Sequence, residues 1–248
     1  MKPVVKIYGE RNTGTNYFEK LLERNFRLHL LPGGHPETRW LNATFRGSDI
    51  LRECWHYWTF PQNLGWKHTA IRLPKFLPAF QRLNNPSIVF IVKNPYSWVL
   101  SLKKRPYQSR SHAGGSLDEF VASPWRLLHR EHLDAVVPGP AALWSLKVRS
   151  YRDCLSARPQ CVFVKYEDLV CDPFQVLETL AARLGFDRPR EWSNINDSTK
   201  GDEANYAFYR DYYLNERWRA SLTPNALAVI TRQLDTSLVD ECGYELLG

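Results

Sequence analysis

Ser87-Ile88-Val89-Phe90-Ile91-Val92 places five apolar residues in a row after a single serine. A strand with one wet face alternates apolar and polar residues. An uninterrupted run belongs to a strand covered on both faces, as in a parallel sheet packed between helices. Val4-Val5-Lys6-Ile7-Tyr8 and Cys161-Val162-Phe163-Val164-Lys165 read as two more buried strands. A further short strand is expected to end at Trp66-Lys67. Helical spacing follows each strong run. Tyr17, Leu21 and Leu22 predict a helix over 16–24, and another is expected over 141–155. Asn94-Pro95 opens a helix to about Lys103, with proline at a tolerated first-turn position. Asp172-Pro173 opens a helix to Leu184, which Gly185 stops. The last forty-odd residues read as helical, with Thr223-Pro224 as cap and first turn. Residues 32–62, rich in Pro, Gly, Trp and His, are expected to be irregular and to line a pocket.

Strands alternating with helices predict an α/β fold: a doubly wound parallel sheet flanked by helices. No repeat or long linker interrupts the chain, so residues 1–248 are expected to form one domain. In such sheets ligands sit beyond the carboxyl ends of the strands, so the loops there are where chemistry belongs.

The first such loop reads Gly9-Glu10-Arg11-Asn12-Thr13-Gly14-Thr15-Asn16 and runs into a helix. Strand, glycine spacing and helix match the phosphate-cradling loop GxxxxGK[ST], whose backbone N–H groups and helix N-terminus face an anion. A plain Gly-rich turn has the same outline. Thr15 stands where nucleotide triphosphatases carry lysine, and Asn16 where they carry the Mg²⁺-binding Ser/Thr. A kinase or NTPase would lose a phosphate-binding charge and a metal ligand together. The cradle is therefore expected without triphosphate chemistry and without a metal. Sulfuryl transfer suits this change. It is an in-line displacement governed by positioning and electrostatics, and the sulfuryl group carries less negative charge than a terminal phosphoryl.

The strongest strand ends in Lys93-Asn94-Pro95, with Ser101 eight positions after Lys93. A cation at the strand end and a serine on the next helix can converge on one phosphate. A net charge of +7 favours an anionic partner without naming it. The five cysteines include no CxxC pair, which suggests neither a disulfide framework nor a zinc site. The N-terminus lacks an apolar signal region, and nothing approaches a membrane-spanning run. A cytoplasmic, reducing habitat without a membrane anchor is expected.

Together these segments resemble the sulfotransferases that use 3′-phosphoadenosine-5′-phosphosulfate (PAPS), whose fold is P-loop nucleoside triphosphate hydrolase-like. The family's K-S-G-T loop aligns on Thr13, Gly14 and Thr15, while its lysine falls on Asn12. Arg11, one residue earlier, is the candidate for the missing charge. The resemblance implies that Arg11, Asn12, Thr13, Gly14, Thr15 and Asn16 bind the 5′-phosphosulfate. It implies that Lys93 and Ser101 bind the 3′-phosphate, although most relatives carry arginine at the first position. Arginine offers a planar fork that lysine lacks.

The family's base is a histidine between the two phosphate loops, often just after a lysine. Gly65-Trp66-Lys67-His68-Thr69 occupies that place. His68 is the candidate base, since histidine titrates near neutrality. Lys67 is the candidate to hold the sulfonate or leaving oxygen. The chain has seven histidines, and His35, His56 and His112 compete for the role. Tyr166, in Lys165-Tyr166-Glu167-Asp168-Leu169, aligns with a tyrosine that meets the adenine region in relatives. Lys200-Gly201 is the nearest match to a C-terminal nucleotide-closing loop.

The expected reaction moves a sulfuryl group to a hydroxyl or amine of a small-molecule or carbohydrate acceptor, with no nucleic acid involved. Trp40, Trp55, Tyr57, Trp58 and Trp66 could form an aromatic wall for a sugar face or a ring, or could be core. The expected lack of an anchor argues against a resident Golgi glycan sulfotransferase. Two other readings stay open at this stage. One is a P-loop kinase or NTPase, and the other is a non-catalytic nucleotide- or polyanion-binding protein.

Overall fold

A computed structural model describes residues 2–34, 48–106, 115–197 and 204–248. Four parallel strands form the sheet: β1 (Val4–Tyr8), β2 (His29–Leu30), β3 (Ser87–Val92) and β6 (Cys161–Lys165). Their spatial order is β2-β1-β3-β6. Two short strands, β4 (Trp125–Arg126) and β5 (Val136–Val137), pair antiparallel elsewhere. The helices are α1 (Thr15–Asn25), α2 (Asp49–Asn63), α3 (Leu73–Arg82), α4 (Pro95–Lys104), α5 (Leu117–Ala122) and α6 (Pro140–Ala157). They continue with α7 (Tyr166–Cys171), α8 (Pro173–Leu184), α9 (Tyr206–Leu214), α10 (Pro224–Gln233) and α11 (Thr236–Glu241).

The apolar run of β3 is buried at every residue from Ile88 to Val92, so both faces of the central strand are covered. β1 and β3 pair in register from Val5–Ser87 to Tyr8–Phe90, and β3 meets β6 from Ile88–Cys161 to Val92–Lys165. Chain order reverses at β1: β2 lies on one side of it and β3 on the other. That reversal opens a crevice at the carboxyl ends of β1 and β3, where a ligand can enter between diverging loops. The fold is the expected doubly wound parallel sheet flanked by helices.

Local chemistry explains the helix ends around the crevice. Asn94 caps α4 by accepting hydrogen bonds from Tyr96 N and Ser97 N at 3.0 and 3.3 Å. Asp172 does the same for α8 at Phe174 N and Gln175 N. Thr223 accepts from Ala226 N at the start of α10. Such caps satisfy orphan N–H groups in the first turn.

Two sequence expectations need correction. Residues 49–63 form a helix, not an irregular stretch. Ser48 caps it and accepts from Leu51 N at 3.3 Å. The segment ending at Trp66-Lys67 is a turn, not a strand. It is tied to the sheet end by one bond from Gly9 N to Lys67 O and to the chain after β2 by one from Lys67 N to Gly33 O. Leu64 (φ 62°) and Gly65 (φ 71°) are both left-handed, and that double reversal takes residues 64–65 out of extended conformation. Among the described residues, no helix is long and apolar enough to cross a membrane.

Candidate active site

The loop after β1 meets the helix N-terminus as the glycine pattern requires. Gly14 sits at φ 87° as the N-cap of α1, a backbone state open to glycine at little cost. A Cβ there would lie 2.5 Å from Cε2 of Tyr166, so the Tyr166 ring lies flush against the loop. Thr13 is buried, and its hydroxyl donates to Glu10 O at 2.6 Å. Asn12, at φ 66°, turns its side chain outward and donates to Arg105 O at 3.3 Å. Trp98 of α4 donates from its indole to Arg11 O at 2.8 Å, which ties the loop to the helix after β3. Thr15 and Asn16 begin α1 directly behind the loop.

The 64–69 turn is held under the loop from below. Buried Lys6 donates to Pro32 O and Gly65 O at 2.6 and 2.7 Å, and Tyr8 donates to Leu64 O at 2.6 Å. His68 is thereby buried beside Gly9, with Nδ1 2.5 Å from Gly9 O. A carbonyl only accepts, so Nδ1 carries the proton and Nε2 keeps its lone pair. Burial holds His68 well below the usual histidine range, and the cations Arg11 and Lys67 push the same way. The Trp66 ring stands edge-to-face against His68 at 5.0 Å, and the Arg11 guanidinium lies 5.3 Å from the Trp66 ring. Lys67 turns onto α1. Its ammonium donates to Asn16 Oδ1 at 2.8 Å and pairs with Glu19 at 2.6 Å.

A second cluster forms at the end of β3. Lys93 is fully buried and donates to Ser101 Oγ at 2.8 Å, so the two residues expected to share a phosphate lie side by side. It also donates to the hydroxyl of Tyr213 at 2.5 Å and lies over the rings of Tyr213 and Tyr166, at 4.0 and 5.1 Å. Burial lowers the Lys93 ammonium to about 7, opposed by nearby Glu167. Glu167 fixes the corner itself: it accepts from Asn94 N at 3.0 Å and from the Tyr244 hydroxyl at 2.8 Å. Trp144 donates to Lys93 O at 2.9 Å from the other side.

Beside this cluster lies a cavity of about 460 Å³. Asn12, Ser101 and the basic run Lys103-Lys104-Arg105 line one side, and Tyr209, Tyr212 and Tyr213 the other. Lys93 stands behind Ser101 and Tyr213, and the Ser101 hydroxyl that accepts from it donates in turn to Ser97 O at 2.9 Å. Tyr213 escaped the sequence reading because it arrives from α9, 120 residues from Lys93. A tyrosine-rich run in the C-terminal helices was its one available signal.

A second cavity of about 360 Å³ lies on the far side of Trp66, lined by Tyr57, Trp58, Phe60, Trp66, His132 and Arg130 among others. Tyr57, Trp58 and Trp66 of the expected aromatic wall meet here, whereas Trp55 does not line it. His56 lines this cavity, with its ring 6.3 Å from that of Trp66. His132 was not foreseen. It is held by Thr69 Oγ1 at 3.0 Å and Lys75 Nζ at 2.7 Å, and burial lowers it to about 4. His35, Trp40, His112, Lys200 and Gly201 lie outside the described residues. Among the described residues, no group of three or more His, Cys, Asp or Glu is placed to hold a metal.

No protein-family model matches the chain, and no curated protein matches it in sequence. Solved structures do. Mouse sulfotransferase SULT7A1, solved complexed with PAP, aligns with a TM-score of 0.53 at 16% identity, over 97% of this chain and 86% of that one. The chain has the sulfotransferase fold. A sulfotransferase from Alicyclobacillus acidocaldarius aligns with a TM-score of 0.52 at 14% identity, over 99% of this chain and 98% of that one. Within the sulfotransferase fold, this chain's loop 9–14 and its Lys93–Ser101 corner flank one crevice.

Proposed function

We propose that this protein is a PAPS-dependent sulfotransferase, with residues 1–248 acting as one domain, and that it transfers to a hydroxyl or amine of a small acceptor. The observation that carries the reading is the position of Tyr166. Its ring lies against Gly14 of the loop and 5.1 Å from the Lys93 ammonium, so one side chain joins two anion-binding ends. Two such ends suit a nucleotide with phosphate at both the 5′ and 3′ positions better than one with phosphate at a single end.

The residues fit that ligand. Arg11, the loop N–H groups and the α1 N-terminus supply positive potential for the 5′ end. Tyr213, backed by Lys93, supplies a hydroxyl for the 3′ phosphate, while Ser101, which accepts from Lys93 and donates to Ser97 O, orients the ammonium. Bound PAPS supplies the sulfuryl group, and adenosine 3′,5′-bisphosphate is the leaving group. His68, with Nδ1–H fixed on Gly9 O, takes the acceptor's proton at Nε2. Trp66 excludes water from one edge of that histidine. Lys67, neutralised by Glu19, holds Asn16 at the helix N-terminus. The aromatic cavity beyond Trp66 is the candidate acceptor chamber, suited to a flat ring or a sugar face.

Calorimetric titration of adenosine 3′,5′-bisphosphate, adenosine 5′-monophosphate and ATP against wild type and Lys93→Ala tests this. The reading expects preference for the bisphosphate and its loss in the variant. Equal or absent binding would sink it. Binding without turnover of PAPS would favour a nucleotide-binding protein instead.

A further inference from the structure

Lys147 lies in the middle of α6, fully buried between Trp144, Val148 and Tyr151. Its ammonium reaches three separate segments. It pairs with Glu10 of the loop after β1. It donates to Glu131 Oε2 at 2.6 Å, in the turn that also carries His129, Arg130 and His132. It donates to the backbone carbonyl of His68 at 2.6 Å.

Each of those partners is itself anchored in the site. Glu10 Oε1 accepts from Arg11 N at 2.6 Å, so the carboxylate sets the backbone of the candidate charge-bearing residue. Glu131 O accepts from Ala70 N at 3.0 Å, two residues beyond the base. Its neighbours Arg130 and His132 line the aromatic cavity. Glu10, Glu131 and Lys147 are at most 4% exposed.

Burying one cation between two carboxylates is an expensive way to fill space. Apolar residues of similar volume are often as stabilising as a buried ionic group or more so. A lysine amine offers three donors from one point, and here each donor meets a different segment. The three segments are the loop for the donor nucleotide, the turn that carries the base, and the wall of the acceptor chamber.

We infer that Lys147 is a positioning residue for sulfuryl transfer, holding nucleotide loop, base and acceptor wall in one register through Glu10, the His68 carbonyl and Glu131. This rests on the sulfotransferase reading above. It assigns Lys147 no contact with either substrate, and it places the coupling of donor and acceptor sites in a buried charge cluster.

The test uses full-length protein, PAPS, and the best acceptor from a panel of phenols, alkanols, amines and monosaccharides. Lys147→Met alone leaves two buried carboxylates without their cation and is expected to fold poorly. The decisive variant is Lys147→Met with Glu10→Gln and Glu131→Gln, which removes the cation and both negative charges together. It is expected to fold and to lose about thirtyfold or more in kcat, with a smaller loss in adenosine 3′,5′-bisphosphate affinity. Lys147→Arg keeps the charge and several donors, and is expected to retain more activity than the triple variant. If the triple variant does not fold, Glu131→Gln decides: the inference expects acceptor KM to rise about tenfold at unchanged bisphosphate affinity. An active wild type whose folded triple variant keeps kcat within about threefold, or whose Glu131→Gln variant keeps its acceptor KM, overturns the inference alone. A wild type that transfers the sulfuryl group of PAPS to no acceptor in the panel removes the sulfotransferase reading, and the inference with it.

Discussion

Lys93 Nζ donates to the hydroxyl of Tyr213 at 2.5 Å, so a strand-end cation and a C-terminal tyrosine share one hydrogen bond across 120 residues of chain. Ser101 completes the group at 2.8 Å. Because Ser101 and Tyr213 line the cavity and Lys93 stands behind them, the tyrosine hydroxyl presents the lysine's charge. Hydrogen bonds to charged groups are worth about 1.5–3 kcal/mol. Tyr213→Phe is therefore expected to weaken bisphosphate binding by about ten- to a hundredfold. Binding of adenosine 5′-monophosphate, which has no 3′ phosphate, should change little. Calorimetry on both nucleotides checks this, and equal losses for the two would assign Tyr213 a packing role only.

On the proposed reading, Lys93 also makes nucleotide binding depend on pH. Burial lowers it to about 7, so ligand-free protein loses that proton as pH rises through neutrality. A phosphate beside it favours the charged form. Binding of the bisphosphate above pH 7 should therefore take up a proton, and affinity should fall as pH rises. Calorimetry in two buffers of different ionisation enthalpy measures the uptake, which should vanish in Lys93→Met. The sign for stability follows from the same shift. Unfolded lysine keeps its proton to about pH 10.4, so between about 7 and 10.4 the unfolded state binds more protons. Ligand-free stability should rise with pH across that window. Buried Lys6, also lowered to about 7, adds to the slope. Denaturant titrations at pH 7 and pH 8 check it, below the range in which the Cys242 thiol, raised to about 11 by burial, opposes the slope.

Gly14 carries two constraints at one position. Its φ of 87° is left-handed, and its missing side chain is where the Tyr166 ring lies. A left-handed non-glycine residue costs about 1–2 kcal/mol before any clash is counted. Gly14→Ala should lower stability by at least that amount and displace Tyr166, weakening the 5′ and 3′ ends of the nucleotide site together. Thermal unfolding and bisphosphate titration on the same variant check both effects.

The parts of this fold that were legible in sequence are those with one-dimensional signals. β1, β3 and β6 have the expected bounds because each is a buried strand set off by polar or glycine punctuation. The caps at Asn94, Asp172 and Thr223 announced α4, α8 and α10. α2 was misread because its large apolar residues face outward. Ile50, Tyr57 and Trp58 are more than 70% exposed, while His56 and Asn63 are buried. Periodicity points to a core only when the apolar face is the buried one. The pairing of Lys93 with Ser101 was legible because one strand–helix corner holds both. Tyr213 and Lys147 were not, since each reaches the site from a distant helix. A lone lysine inside a helical pattern reads as solvent-facing until its buried partners are known.

His68 provides the sharpest test of mechanism, because its surroundings fix both its tautomer and its charge. The bond to Gly9 O holds the proton on Nδ1 and leaves the lone pair on Nε2, the proposed base. Burial, then Arg11, then Lys67 disfavour the charged imidazolium, while the Gly9 bond opposes them. A histidine held below its usual range stays neutral, and thus competent, at pH values where a free imidazole is protonated. Since kcat/KM reports the free enzyme, its acid limb should lie below about pH 6.5. Bound donor brings negative charge beside Arg11, Lys67 and the helix N-terminus, which offsets part of their effect. The acid limb of kcat should therefore lie at higher pH than that of kcat/KM. His68→Ala should reduce kcat by about 10²- to 10⁴-fold with bisphosphate affinity nearly unchanged, and should abolish both acid limbs. Paired pH profiles on wild type and variant measure all three. A kcat/KM limb at or above pH 6.5, or a variant that keeps its rate, would move the base to another group and leave His68 as a buried prop for the loop.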